Sequence, residues 1–449
     1  MSRLVLRCAV LAVIIVGASR AHAARTDDPP EITLSDPMLV SPPPAPRTIA
    51  SWDEAIAQVR AHTPDYLSGA QGIRRAEAQR EIALAAVLPT LSGQVGYTHQ
   101  FLTSVLPGLA VTAPAENNVA VSATISWSVI NPRGIYGVGT ANRQIEATQL
   151  TFEDQRRRIA TALVDAMLAT RTALRVAELN RTGLRAALER LTLTRARLAY
   201  GQAPEVDIDR ASQDVAAARQ TLIHGDESLR QAREALGVLL GSSVAVAPPD
   251  AMDLMTFVGA VSRTCRVNDD VERRPDVLAA RKRLEIAQRG VTDAALMFAP
   301  TVTLSSTLEN DTNPLLGPNT TWSAMALLTV PIYDGGGRYG TLRDRRAAIE
   351  QARQDLEQTR LLAIVASAQA MRAVVVAEQS RATALEQRDI AARVDQRTRD
   401  GYSKGLGTSL DLVISGQALR QAEINLAISD FQLEDARADA VLVNAECAY

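Results

Sequence analysis

Side chains able to do covalent or ligand chemistry are few and widely spaced in this 449-residue chain. There are four histidines and three cysteines. His62, His99 and His224 stand far apart, so no cluster has the spacing of a His- or Cys-built metal site. No G-x-S-x-G elbow, Walker loop or dinucleotide fingerprint occurs. Gly335-Gly336-Gly337 comes nearest to a phosphate loop, but no Lys-Ser/Thr follows it, and it stands where a strand must turn into a helix. The reading is therefore no enzyme, no cofactor and no metal. What stands out is two Gly-containing turns that each lead to an aspartate. One is Tyr200-Gly201-Gln202-Ala203-Pro204-Glu205-Val206-Asp207, and the other runs from Tyr402 through Gly405 to Asp411. An aspartate so placed can cap the helix that follows it. Repeated around an axis, it can repel its copies, attract cations and shift its own pKa upward.

The elements that hold these turns are long helices. Lys plus Arg is 48 and Asp plus Glu is 50, a net charge of −2, and no basic patch points to nucleic acid. Aromatics are only 4%, and Ala, Leu, Arg, Gln and Glu dominate, all strong helix formers. No proline interrupts 133–203 and none follows Pro331, so very long helices are expected at about 135–200 and 338–400. Some 65 residues make roughly 100 Å of helix. Ile145, Phe152 and Ile159, then Leu163 and Met167, then Leu184, Leu188, Leu191 and Leu198 recur at coiled-coil spacing. Shorter helices are expected at about 208–241 and 411–446 after the two turns, and at 66–88 and 274–298 before the alternating segments. Stacking 208–241 on 274–298, and 411–446 on 66–88, would match the long helices in length.

The chain also repeats itself. Shifted by 211, residues 64–90 fall on 275–301: Pro64, Asp65, Leu67, Ala76, Ala83, Pro89 and Thr90 meet Pro275, Asp276, Leu278, Ala287, Ala294, Pro300 and Thr301. The organisation read from this is a signal peptide at 1–23, a Pro-rich extended segment at 24–47 that does not pack, a first repeat at 48–241, a connector at 242–273 and a second repeat at 274–449. The signal rests on Arg3, the apolar run from Ala9 and the Ala21-His22-Ala23 cleavage site. No later stretch has 18 continuous apolar residues, so no transmembrane helix is expected.

Each repeat carries two alternating segments, at about 90–103 and 118–130, then 301–309 and 320–332. From Pro89 to Pro132 the only charge is Glu116, and from Ala299 to Tyr333 only Glu309 and Asp311. Val119, Val121, Ala123, Ile125, Trp127 and Val129 alternate with Ala120, Ser122, Thr124, Ser126 and Ser128. Met325 and Leu327 break the pattern of the fourth segment. Such strands, apolar outside and hydroxyl-lined inside, fit a transmembrane β-barrel, with a soluble β-sandwich as the alternative. Four strands close no water-filled barrel, and open edges are forbidden in lipid. Three chains with four strands each solve both problems, so the expected fold is mainly α with transmembrane β: a trimeric 12-stranded barrel on a long α-helical barrel.

At this point the sequence resembles the outer membrane efflux proteins, the TolC-like channels. The carriers are Ser51-Trp52-Asp53-Glu54-Ala55, the Pro64-Asp65 and Pro275-Asp276 helix starts, Leu88-Pro89-Thr90 and Val129-Ile130-Asn131-Pro132. To these add Val330-Pro331-Ile332-Tyr333-Asp334-Gly335-Gly336 and Gly401-Tyr402-Ser403-Lys404-Gly405 with Asp411. The resemblance implies a passive exit duct in the outer membrane with a large periplasmic extension. It also implies docking to a periplasmic adaptor and an inner-membrane pump of the RND or ABC type. It places Gly201, Asp207, Tyr402, Gly405 and Asp411 at the periplasmic entrance. The sequence departs from some members: Ile414 stands where they carry a second acidic ring, and Gly407 and Thr408 where some carry an Arg, which puts their salt-linked latch in doubt. The alternative is a structural coiled-coil protein spanning the periplasm without transport, against which the charge-free hairpins speak.

Cys265 and Cys447 are the two cysteines beyond the signal. Cys265 lies in the connector, and Cys447 ends the helix that rises about 35 residues, roughly 50 Å, from its turn. Both fall at one height in an oxidising compartment, so a disulfide is expected. Two free thiols on different sides of the subunit are the alternative.

Overall fold

A computed structural model describes residues 36–99, 101, 117–248, 259–261, 263, 265–266, 270–312, 319–447 and 449. The expected signal peptide, residues 24–35 of the Pro-rich segment, Glu116 and the ends of the expected strand at 100 and 102–103 lie outside them.

The first repeat runs β1 (Arg47–Thr48), α1 (Trp52–His62), α2 (Pro64–Ala85), β2 (Thr90–His99), β3 (Asn117–Ile130), α3 (Pro132–Ala199) and α4 (Glu205–Leu239). The short strands β4 (Val246–Ala247) and β5 (Cys265–Arg266) lead to the second. That repeat runs α5 (Pro275–Ala295), β6 (Thr301–Asp311), β7 (Thr320–Thr329), α6 (Gly337–Ser403), α7 (Ser409–Leu442) and β8 (Glu446–Cys447). Proline at the first position of α2, α3 and α5 starts each helix, because its absent N–H needs no partner there. Asn131 caps α3, its Oδ1 accepting from the Gly134 amide at 2.9 Å.

Beside the sheet α2 packs on α3 and α5 on both α3 and α6, whereas toward the turns α4 packs on α3 and α7 on α6. The two joints differ from the sequence expectation. The end of α4 meets the start of α2, with Thr63 Oγ1 donating to Leu239 O at 2.7 Å. The β5–β8 pairing joins the end of α7 to the approach to α5. Short connections decide this: α2 and α4 each lie one turn or hairpin away in sequence from α3, so both settle on the same long helix.

Packing at mid-length is a belt. Ile49, Trp52 and Val59 of the N-terminal segment meet Leu163 and Met167 of α3, Leu236 and Leu240 at the end of α4, and Leu442 of α7. Toward the turns Leu184, Ala187 and Leu191 of α3 bury against Ala211, Val215, Ala218 and Leu222 of α4. The stretch 36–47, expected to stay unpacked, is docked, and it opens with one 3₁₀ turn at Pro37–Leu39 capped by Asp36. Met38 and Leu39 pack on that lower cluster, Asp36 pairs with Arg219 at 2.8 Å, and Arg47–Thr48 pairs in parallel with Val246–Ala247. Two apolar side chains and an ion pair offset the cost of holding a segment that proline has already stiffened.

One helix among the described residues, α6, is long and apolar enough to cross a membrane by length and composition. The expectation of none rested on unbroken apolar runs, and Gln369 and Arg372 interrupt this one. Its Leu361, Leu362, Ile364, Val365, Met371, Val375 and Val376 are exposed in the single chain.

Three carboxylates face one another at the belt: Asp165 of α3 with Asp435 and Asp439 of α7. Burial first, then the two neighbouring charges, pushes Asp165 up to about 7. The folded chain therefore keeps a proton that an unfolded chain, with its Asp titrating at about 3.9, has lost. Stability is expected to fall as pH rises from 5 to 8, and Asp165→Asn to flatten that slope. Thermal melts across this range check it, and an equal slope in the variant would refute it.

Candidate functional site

The sheet has the order β2-β3-β6-β7, antiparallel throughout. Its register sorts the side chains onto two faces. Leu91 opposes Ile125, Val95 opposes Val121, Trp127 opposes Leu304, and Leu308 opposes Trp322. Ser92 opposes Thr124, Ser126 opposes Ser305, Thr124 opposes Thr307, and Thr307 opposes Ser323. One face is thus aliphatic and aromatic and the other a field of hydroxyls, including a Thr124–Thr307 hydroxyl pair at 3.0 Å. Met325 and Leu327 lie on the hydroxyl face, opposite Ser305 and Thr303. His99 ends β2, with Nδ1 2.9 Å from Asn117 Oδ1. Within one chain the outer edges of β2 and β7 have no strand partner among the described residues.

The glycine triplet stands between this sheet and α6. Gly335 and Gly336 have φ of +73° and +92°, the left-handed region that favours glycine, and Asp334 accepts from the Gly336 and Arg338 amides.

The two turns lie together at the far end of the helices. Gly201 (φ +68°) and Gly405 (φ +79°) reverse the chain after α3 and α6. Asp207 is the third residue of α4; its Oδ1 accepts from Arg210 Nη1 at 3.3 Å, and the residue preceding the helix is Pro204. Asp411 closes a capping box. Its amide donates to Thr408 Oγ1 at 3.2 Å, while its carboxylate accepts from the Thr408 amide at 3.1 Å and hydroxyl at 2.6 Å. The Thr408 hydroxyl, then its amide, hold the Asp411 carboxyl below the usual range. In one chain this opposes the upward shift expected of repeated charges.

Tyr402 is buried at 4% exposure. The Arg197 guanidinium lies over its ring, 3.9 Å from the centroid, and Nη2 donates to Tyr402 O at 2.7 Å. Higher up, Asp214 of α4, its side chain fully buried, accepts from Arg190 of α3 at 2.5 Å and from Gln417 Nε2 of α7 at 2.9 Å. Gly416 on α7 and Gly183 on α3 leave room for the facing Arg190 and Arg420. Sequence reading singled out none of Arg190, Arg197, Asp214 and Gln417. The one available signal was charge inside an apolar stripe, since Arg190 adjoins Leu191 and Leu188.

Cys265 and Cys447 form a disulfide, S–S 2.05 Å with Cα atoms 4.0 Å apart, and pair directly across β5 and β8. Next to it Tyr449 Oη donates to Arg156 O at 2.5 Å, and Tyr66 stacks on the Tyr449 ring.

A hydroxyl-faced, apolar-backed sheet set on roughly 100 Å of helix defines a membrane channel protein with a long soluble extension. The profile of the family described as "Outer membrane efflux protein" matches residues 55–242 and 267–441, one stretch in each repeat, and the chain belongs to that family. It is an efflux channel of the outer membrane with a periplasmic helical extension, and not an enzyme. Among curated relatives it is 27% identical to outer membrane protein OprJ of Pseudomonas aeruginosa over 350 residues, 70% of this chain and 71% of that one. It is 26% identical to the toluene efflux pump outer membrane protein TtgF of Pseudomonas putida, over 64% of this chain and 61% of that one. Among solved structures, the outer-membrane channel OprN superposes with a TM-score of 0.74 at 20% identity, covering 91% of this chain and 95% of that one. The CmeC outer membrane channel of Campylobacter jejuni gives 0.75 at 15%, covering 92% of each.

Proposed function

We propose that three copies close their sheets edge to edge, β7 of one against β2 of the next, into a 12-stranded barrel. It serves as the passive exit duct of a tripartite assembly. The observation that carries this reading is the four-stranded sheet, with its apolar face, its hydroxyl face and its two open edges. The apolar face of α6 is covered by the neighbouring copy. The turns bearing Gly201, Asp207, Tyr402, Gly405 and Asp411 form the periplasmic entrance. Exposed Tyr200, Val206, Leu406, Leu410 and Ile414 around them offer an adaptor an apolar surface. Beyond the adaptor lies an inner-membrane pump, and the cargo is a small molecule, as the toluene of one relative's name suggests.

Light scattering in mild detergent tests the assembly: protein mass is expected at three times that of one chain without its signal peptide, and a monomer would sink the barrel. In planar bilayers Asp411→Ala is expected to raise basal conductance or weaken block by divalent cations. Unchanged conductance with a lowered melting temperature would leave Asp411 as a helix cap alone.

A further inference from the structure

At the end of the sheet away from the helices, the β2–β3 pair carries polar and aromatic side chains that a plain duct does not need. The register puts Tyr97, His99 and Asn117 on the same face as Leu91, Val95 and Ile125, the apolar one. Asn117 Oδ1 accepts from Tyr97 Oη at 2.6 Å and lies 2.9 Å from His99 Nδ1. Phe101 stands edge-on to the His99 ring, with centroids 4.5 Å apart. Tyr97 and Phe101 are 66% and 89% exposed. Two contacts on one oxygen hold the Asn117 amide, whose Nδ2 has no acceptor among the described residues. A neutral imidazole that donates through Nδ1 accepts through Nε2. The rim therefore offers a fixed amide donor, an imidazole acceptor and two aromatic rings. Cationic partners are lacking: from Arg80 to Arg133 and from Arg289 to Arg338 the sequence has no Lys or Arg, the turns between the strands included. The two carboxylates on the described strands of this sheet, Glu309 and Asp311, fall on the hydroxyl face, opposite Ser122 and Ala120.

We propose that this rim is an interaction surface for the uncharged sugar headgroup of a glycolipid in the outer leaflet. A phosphate headgroup finds no guanidinium or ammonium here to pair with. A sugar finds rings for its C–H faces, and an amide and an imidazole for hydroxyls that both donate and accept. The aromatic side chains are stiff and the amide is already held, so little rotamer freedom is lost on contact. The surface rests on the duct reading in one respect, that the apolar face of the sheet meets lipid.

Native mass spectrometry of the full-length protein in mild detergent tests it, with digalactosyl diacylglycerol, phosphatidylglycerol and phosphatidylcholine added one at a time. The galactolipid is expected to bind about fivefold tighter than either phospholipid, the scale of one net hydrogen bond. His99→Phe with Asn117→Leu, which keeps apolar bulk on the lipid face, is expected to bring it level with phosphatidylcholine. On a three-chain particle, equal affinity for all three lipids, tightest binding of phosphatidylglycerol, or an unchanged preference in the double variant overturns the surface. The wild-type comparison decides on its own if the double variant does not assemble. A one-chain particle that retains none of the lipids ends the barrel reading, and this surface with it.

Discussion

Asp214→Leu is expected to destabilise the protein by about 3–5 kcal/mol, the range for breaking a buried ion pair from one side. The Asp214 side chain has no exposed surface, and Arg190 keeps only 10% of its own. Asp214 accepts two hydrogen bonds from Arg190 and one from Gln417. Half-buried Arg420 also feels its charge. Without the carboxylate, two guanidiniums are left close together in a poorly hydrated place between three helices. Arg190→Leu combined with Asp214→Leu should be much less damaging than Asp214→Leu alone, because it leaves a hydrophobic contact rather than an orphan charge. Denaturant unfolding followed by circular dichroism measures both. If the double variant is as unstable as the sum of the single ones, the pair is not coupled as argued.

Removing the disulfide should matter as much. Cys265 and Cys447 are 182 residues apart in sequence. In the chain-entropy picture, closing a loop of that size stabilises the fold by about 5 kcal/mol. The bridge also holds the two-residue β5–β8 pairing and, beside it, Tyr449, whose main-chain oxygen accepts from Tyr66 Oη at 3.2 Å and Arg156 Nη1 at 2.9 Å. The variant with both cysteines changed to serine is expected to melt several degrees lower, and the wild type in strong reductant should melt with it. A melting temperature indifferent to both changes would show that the belt holds without its covalent tie.

How legible all this was in the sequence depends on the distance over which each feature is decided. Helix starts are local: Pro64, Pro132 and Pro275 mark α2, α3 and α5 because proline fits only the first turn. The strands were legible from alternation, since hydroxyl and aliphatic residues two apart must share a face. Register was not, because period two fits many pairings. The shift between Ser128 and Ile130 has no local sign. Which short helix stacks on which was misread, because matching lengths do not decide neighbours when connections do. The turns stood out through Gly201 and Gly405. The side chains that tie one hairpin to the other did not: Arg190, Asp214 and Gln417 lie on three helices, and nothing in a single helical period predicts that they meet.

The open edges of the sheet carry a consequence for the order of events in biogenesis. A lone chain offers β2 on one side and β7 on the other, each ten residues long. Every outward N–H or C=O left bare in hydrocarbon costs several kcal/mol. Insertion one subunit at a time is then uphill at its first step, unchanged in open edges at its second and downhill only at its third. Under the three-chain arrangement the helices, which tolerate water, must find one another before the strands enter lipid. The rate of barrel formation should rise with close to the third power of chain concentration when expression is low. A subunit with a damaged edge strand should act dominantly, since one defective copy leaves the ring unclosed.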